Sequence, residues 1–307
     1  MGLSQDIASS IAASSASSVA RDLTGLGGGG GGSGPSYGVP LLGIVDNGET
    51  LNLGTSTPAA FALKNPAIDG NALAYIDYDA PLGHTVNMGT TAEISTGVKD
   101  AGSNYGYLTG LAFSDDGTRN YGVLGAGGGG SGQFYERTLT TPWSIAGGIS
   151  GSNVAAVSLG TLLGTGDLYG MALSPDGLHG YTLAGNRTVY HFEFNTAYDV
   201  DDLSYSSDTL ATGSAGTGTD LDITPDGLYL IVLFRSTTVN ACEVYALTTP
   251  WDLSTATLSH TVDLDSLNAA LTIQVNAVAV DTVNKVFYLA EGLTDTIYQY
   301  SWTGVAS

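Results

Sequence analysis

The chain has 307 residues, only eight of them Lys or Arg against 29 Asp or Glu, for a net charge of −21. That charge repels phosphate backbones and anionic lipid heads, which excludes nucleic acid as a partner and favours solubility at high copy number. Forty-four glycines point to a turn-rich fold and away from a helical bundle, and the single Cys242 excludes an internal disulfide or a Cys-rich zinc site.

Residues 1–24 are rich in Ala and Ser, and Leu3, Ile7, Ile11 and Val19 fall on a four-residue stripe. The spacing predicts a short helix, edged by alanines that suit close packing in a groove; alone in water it would be marginal. These four residues are candidates for an anchoring face. Six consecutive glycines, Gly27–Gly32, then mark residues 25–37 as a linker. No Gly-Lys-Ser/Thr follows, so this is no phosphate loop. No apolar run reaches membrane-spanning length, and the N-terminal stretch has neither a signal-peptide pattern nor the Ser or Thr that myristoylation wants at position 6. Export and membrane insertion are therefore not expected.

The body, residues 38–307, is repetitive. GLAFSDDGTRNYGVL (110–124), GMALSPDGLHGYTL (170–183), TDLDITPDGLYLIVL (219–233) and NAVAVDTVNKVFYLA (276–290) each read as strand, polar turn, strand, and AAFALKNPAIDGNALAYI (59–76) is a weaker member. Four residues beyond Gly70, Gly117, Gly177, Gly227 and Asn284 stand Ala74, Tyr121, Tyr181, Ile231 and Tyr288, so one register fits all five. A third strand follows in four of them, ending at Leu139, Phe194, Leu247 and Tyr300, with spacings of 55, 53 and 53 residues. This period predicts an all-β protein, a β-propeller of about five four-stranded blades, with six possible. The last repeat lacks a fourth strand; residues 41–53 belong to no repeat and are expected to supply it, closing the ring and removing two exposed edges.

The recurrent turns have a local explanation. Pro175 and Pro225 preset φ, Asp116, Asp176 and Asp226 hydrogen-bond within the turn, and Gly117, Gly177 and Gly227 take the positive φ that re-enters a strand. Calcium sites are the alternative for these carboxylates, but the D-x-D-x-D-G spacing is missing. After the third strand, LTTPW occurs at 139–143 and again at 247–251, and NTAY fills the same slot at 195–198. Trp143, Tyr198 and Trp251 are expected to pack between blades. Of the histidines, His179 and His191 fall on strands of one blade and read as framework. No HExxH and no G-x-S-x-G occurs.

The phrase G-L-A-F-S-x-D-G…L-T-T-P-W-D-L-S-T-A, best matched at 110–143, 170–194 and 219–256, resembles repeats of tailed-bacteriophage virion proteins of the fibre, spike or decoration type. It departs at 143–148 and in the first and last repeats. The resemblance implies a non-enzymatic structural protein of the virion, made in the host cytoplasm. Its N-terminal arm would be held by capsid, portal or tail proteins, and an oligomeric propeller would face a host glycan or protein. It brings no catalytic residue, cofactor or metal ligand. Two other readings stay open: a cellular propeller that binds carbohydrate or protein, and a propeller enzyme of the lyase or lactonase kind.

Overall fold

The computed structural model describes the strand backbone between residues 44 and 98 and most of residues 108–302, with side chains placed within 109–300. The chain divides into two compact units, residues 1–36 and 37–307. All described residues belong to the second, so the expected helix and its candidate anchors Leu3, Ile7, Ile11 and Val19, and the glycine linker, lie outside them.

Among the described residues, twenty strands form five antiparallel four-stranded sheets. Strand β1 (Ile44–Asn52) comes first in sequence but belongs to the last sheet. The first blade is β2 (Pro58–Leu63), β3 (Ala72–Asp77), β4 (Leu82–Asn87) and β5 (Ala92–Val98). The second is β6 (Leu108–Phe113), β7 (Arg119–Leu124), β8 (Gln133–Thr138) and β9 (Ala155–Ser158). The third is β10 (Leu168–Leu173), β11 (His179–Ala184), β12 (Thr188–Phe194) and β13 (Leu203–Ala211). The fourth is β14 (Thr217–Ile223), β15 (Tyr229–Arg235), β16 (Ala241–Leu247) and β17 (Ala256–Asp263). The fifth is β18 (Val275–Asp281), β19 (Val286–Glu291), β20 (Thr296–Trp302) and β1. The leading strands β2, β6, β10, β14 and β18 each lie beside the next, and β18 returns to β2, so the sheets form a closed five-bladed β-propeller.

Closure uses β1, which pairs with β20 from Ile44–Trp302 to Asn52–Thr296. The pairing covers the edge of β20 and makes β1 the outer strand of the fifth sheet. The same register runs round the ring: Ala62–Ala74, Ala112–Tyr121, Ala172–Tyr181, Asp222–Ile231 and Ala279–Tyr288 are facing pairs. Each leading strand also carries a bulge near its start. Such a bulge sharpens the local twist where strands crowd an axis.

The core lies between blades rather than within one. Phe134 and Val123 of the second blade pack on Phe192 and Leu168 of the third, Leu183 of the third on Leu221 and Val232 of the fourth, and Val244 of the fourth on Val278 and Phe287 of the fifth. Alternation supplies these faces, because one side of each sheet meets the preceding blade and the other the following one. Near the axis the second and third leading strands come so close that Gly110 has no room for a side chain: a Cβ there would stand 2.7 Å from the Gly170 carbonyl carbon. Among the described residues, no helix is long and apolar enough to cross a membrane.

Candidate functional site

The repeated turns are built alike three times. Asp116 accepts from the Ser114 hydroxyl at 2.7 Å and the Thr118 N–H at 2.9 Å. Asp176 accepts from Ser174 and Leu178 at 2.5 and 3.0 Å, and Asp226 from Thr224 and Leu228 at the same distances. The Ser or Thr hydroxyl in turn accepts the N–H five residues on, from Arg119, His179 or Tyr229. These bonds hold the Asp116 and Asp176 carboxyls below the usual carboxylate range, for Asp116 chiefly through the Thr118 N–H and for Asp176 through Ser174 and Leu178, against burial. The carboxylates are thus spent on their own turns. Gly117, Gly177 and Gly227 have φ of 67°, 70° and 71°.

Trp143, Tyr198 and Trp251 also have positive φ, of 62°, 63° and 67°, which a side chain tolerates only under constraint. The constraint is mutual. Each aromatic N–H donates to the carbonyl of the turn glycine of its own blade, at 2.8, 2.8 and 3.1 Å. Each ring then covers that glycine so closely that a Cβ there would meet ring atoms at 2.3–2.5 Å. Thr249–Asp252 is a turn closed by Asp252 N–H to the Thr249 carbonyl, with Pro250 second and the left-handed Trp251 third. Asp199 and Asp252 next cap short 3-10 turns, Val200–Asp202 and Leu253–Thr255, that lead into β13 and β17. TTPW-D-L-S-T-A is therefore the corner that carries the chain from the third strand to the fourth.

Two of these corners also join neighbouring blades. The Tyr198 carbonyl accepts from Tyr121 Oη at 2.9 Å and Arg119 Nη1 at 3.2 Å, and Tyr198 Oη accepts from the Asp115 N–H at 3.0 Å, all in the second blade. The Trp251 carbonyl accepts from Tyr181 Oη, and the Trp251 ring lies parallel to His179 with centroids 5.9 Å apart, both in the third blade. The described ring neighbour of Trp143 is Phe113, in its own blade. Burial drives the Tyr121 and Tyr181 hydroxyls far up, and Tyr198 up to about 12, so all three stay protonated donors.

At the turn end of the leading strands lies an open pocket of about 170 Å³. Its walls are apolar, from Leu111, Met171, Leu221 and Val278, and Trp143 and Tyr198 stand at its rim. Asp222 lines it from β14. This carboxyl accepts from the Val280 N–H of β18 and from the Ile223 N–H, both at 2.8 Å. Its neighbour Asp220 accepts from Val278 and Leu221 N–H groups at 2.9 Å. The two carboxyls thus satisfy edge N–H groups of two leading strands that no ladder partner reaches. Burial pushes Asp222 up to about 7 against those N–H bonds, and pushes Asp220 well above the carboxylate range.

Sequence reasoning passed over both. Their signal was a departure from the repeat: Asp222 stands where the other blades have Ala62, Ala112, Ala172 and Ala279, and Asp220, two residues earlier, where they have Ala60, Gly110, Gly170 and Ala277. The one described group with metal-ligand chemistry is His179, His191 and Glu193. Cys242 is buried on β16, its thiol pushed up by burial, so it behaves as a small apolar side chain.

The fold and these corners define a five-bladed β-propeller with an acidic channel lining on one side. No protein-family model matches the chain, and no curated protein matches it. Among solved structures it is similar to a chain titled Kuenenia stuttgartiensis hydrazine synthase, with a TM-score of 0.42 and 11% identity. The match covers 78% of this chain and 56% of that one, so this chain spans little more than half of its neighbour's length.

Proposed function

We propose that the chain is a structural protein of a tailed-phage virion, of the fibre, spike or decoration type, whose N-terminal unit is held by capsid, portal or tail proteins and whose propeller is displayed to the host surface. One observation carries this reading furthest: the residues that define the repeat bond one another. The turn carboxylates, the junction tyrosines and the left-handed aromatics all close internal contacts. A repeat that writes its most distinctive residues into corners and seams builds a rigid display ring, without a reactive centre. A division after Ser36 and a charge of −21 suit an outward-facing body on a separate attachment unit. The channel-mouth pocket, with Trp143 and Tyr198 at its rim, is the face assigned to a host glycan or protein. Many copies on one particle would add avidity to weak single contacts.

The test is incorporation. The full chain and a version lacking residues 1–34 are expressed in host cells during infection, and purified particles are assayed for each by quantitative mass spectrometry. The full chain should sediment with particles at a fixed copy number, and the truncated one should remain in the supernatant while its circular dichroism stays that of the intact body. Equal incorporation of both would end the attachment idea, and absence of the full chain from particles would end the virion assignment.

A further inference from the structure

We propose that His179, His191 and Glu193 form a binding site for one divalent transition-metal ion of the zinc class, at the junction of the third and fourth blades. The three side chains come from β11 and β12, where Tyr181 faces His191 and His179 faces Glu193, so all project from the same side of the sheet. One ligand atom from each lies within 4.8 Å of the others.

The spacing suits the ion. His179 Nδ1 and His191 Nε2 are 3.0 Å apart. Two nitrogens bound at about 2.0–2.1 Å to a tetrahedral zinc stand about 3.3 Å apart, so a few tenths of an ångström of opening admits it. Glu193 is exposed and free to swing its carboxylate in as third ligand. Water would complete the set.

Without an ion, His191 is poorly served. It is 2% exposed, and its Nδ1 has no hydrogen-bond partner. Whichever tautomer the imidazole pair adopts, Nδ1 is left either as an N–H with no acceptor in range or as a bare lone pair. Its nearest carboxylate, Asp208 Oδ2, is 4.0 Å away. A metal on Nε2 would fix the proton on Nδ1, and Asp208, at the surface, could close on it; a carboxylate behind a ligating imidazole is the common arrangement.

The fold does not need histidine here. At the same register the second blade places Arg119 and Glu136, joined at 2.8 Å. The fourth blade places Tyr229 and Val244 there, and the fifth Val286 and Gln299. An ion pair, an aromatic–aliphatic pair or a valine–glutamine pair fills this slot elsewhere in the ring, so the His-His-Glu set is chemistry beyond what packing requires. Trp251, lying parallel to His179, walls the site on the side of the fourth blade.

The experiment uses the full chain stripped of metal by chelation. Isothermal titration with zinc chloride should give one ion per chain, and cobalt(II) should give the visible absorption of a tetrahedral centre. Zinc at a hundredfold excess over its dissociation constant should raise the thermal midpoint. His179→Ala should abolish all three signals, and Glu193→Gln, at an exposed position that leaves folding intact, should weaken binding at least tenfold. Absence of stoichiometric binding overturns the site. So does binding that either variant leaves unchanged, since the ion would then sit among surface carboxylates.

Discussion

Restoring the repeat at Asp222 tests the account of the channel wall. Asp222→Ala installs the residue that faces the same register position in the other four blades. In the folded ring burial lifts this carboxyl to about 7. In the unfolded chain it returns to about 3.9. The folded state therefore binds the proton more tightly, and the stabilisation this gives is complete below about pH 4 and lost as pH rises through about 7. The change amounts to roughly 4 kcal/mol across that window. The variant has no such group, but it leaves the Val280 N–H without its acceptor, a pH-independent cost of about 1–3 kcal/mol. The wild type should consequently be the more stable protein near about pH 5 and lose that advantage, or reverse it, near about pH 8.

Whole-protein pH profiles would hide this, because His191 acts in the opposite sense. Its pKa is lowered to about 4, so its contribution is full above about pH 6.5 and lost as pH falls through about 4. The assay is therefore a difference: urea unfolding of wild type and Asp222→Ala at matched pH, with His191 common to both. A stability difference that stays constant from about pH 5 to about pH 8 would refute the claim that Asp222 is held neutral by burial.

Three other perturbations probe the corners and the seam. Gly227→Ala sets a Cβ 2.5 Å from the Trp251 ring at a φ of +71° and should cost about 2–5 kcal/mol, read as a fall of the midpoint in differential scanning calorimetry. Tyr121→Phe keeps the buried ring but removes the bond to the Tyr198 carbonyl, and should cost about 1 kcal/mol in chemical denaturation with an unchanged m-value. Deleting Ile44–Asn52 strips β20 of its partner and exposes its edge, so light scattering after size exclusion should show stronger concentration-dependent association than the intact chain does.

What could be read in the sequence was what has a local mechanism. The Ser/Thr-x-Asp-Gly turns were legible because Asp, Gly and Pro act within four residues, and their spacing then fixed the register that the facing pairs display. The closing strand was legible by subtraction, as a strand-like segment without a repeat. The outer strands were not placed, since β13 (LSYSSDTLA) and β17 (ATLSHTVD) alternate between half-buried and exposed positions and are rich in Ser and Thr. The aromatic corners were expected to pack between blades, and Tyr198 and Trp251 do reach the neighbouring blade. That each ring first clamps its own blade's glycine, from a left-handed backbone, was not legible. Propensity would put glycine at such a φ, and only the ring's partner explains the exception.

The remaining pattern concerns where the repeat is broken. A propeller of five similar blades needs small residues near the axis and matched surfaces at each seam, and selection for folding alone keeps the blades alike. Two polar departures from the repeat nevertheless lie in adjacent blades. His179, His191 and Glu193 occupy the seam between the third and fourth, while Asp220 and Asp222 reach from the fourth to the fifth. Neither departure is demanded by its slot, because alanine or glycine serves at the channel and an Arg–Glu ion pair, Tyr229 with Val244 or Val286 with Gln299 serves at the seam. Each also carries a desolvation cost that an apolar residue would avoid. These residues give the fourth blade two chemically distinct seams, one imidazole-lined and one carboxyl-lined. If the proposed recognition role holds, binding of a glycan or protein is expected to map to this sector rather than to be shared equally among the five blades, and substitutions at equivalent places of the second blade should leave it unchanged.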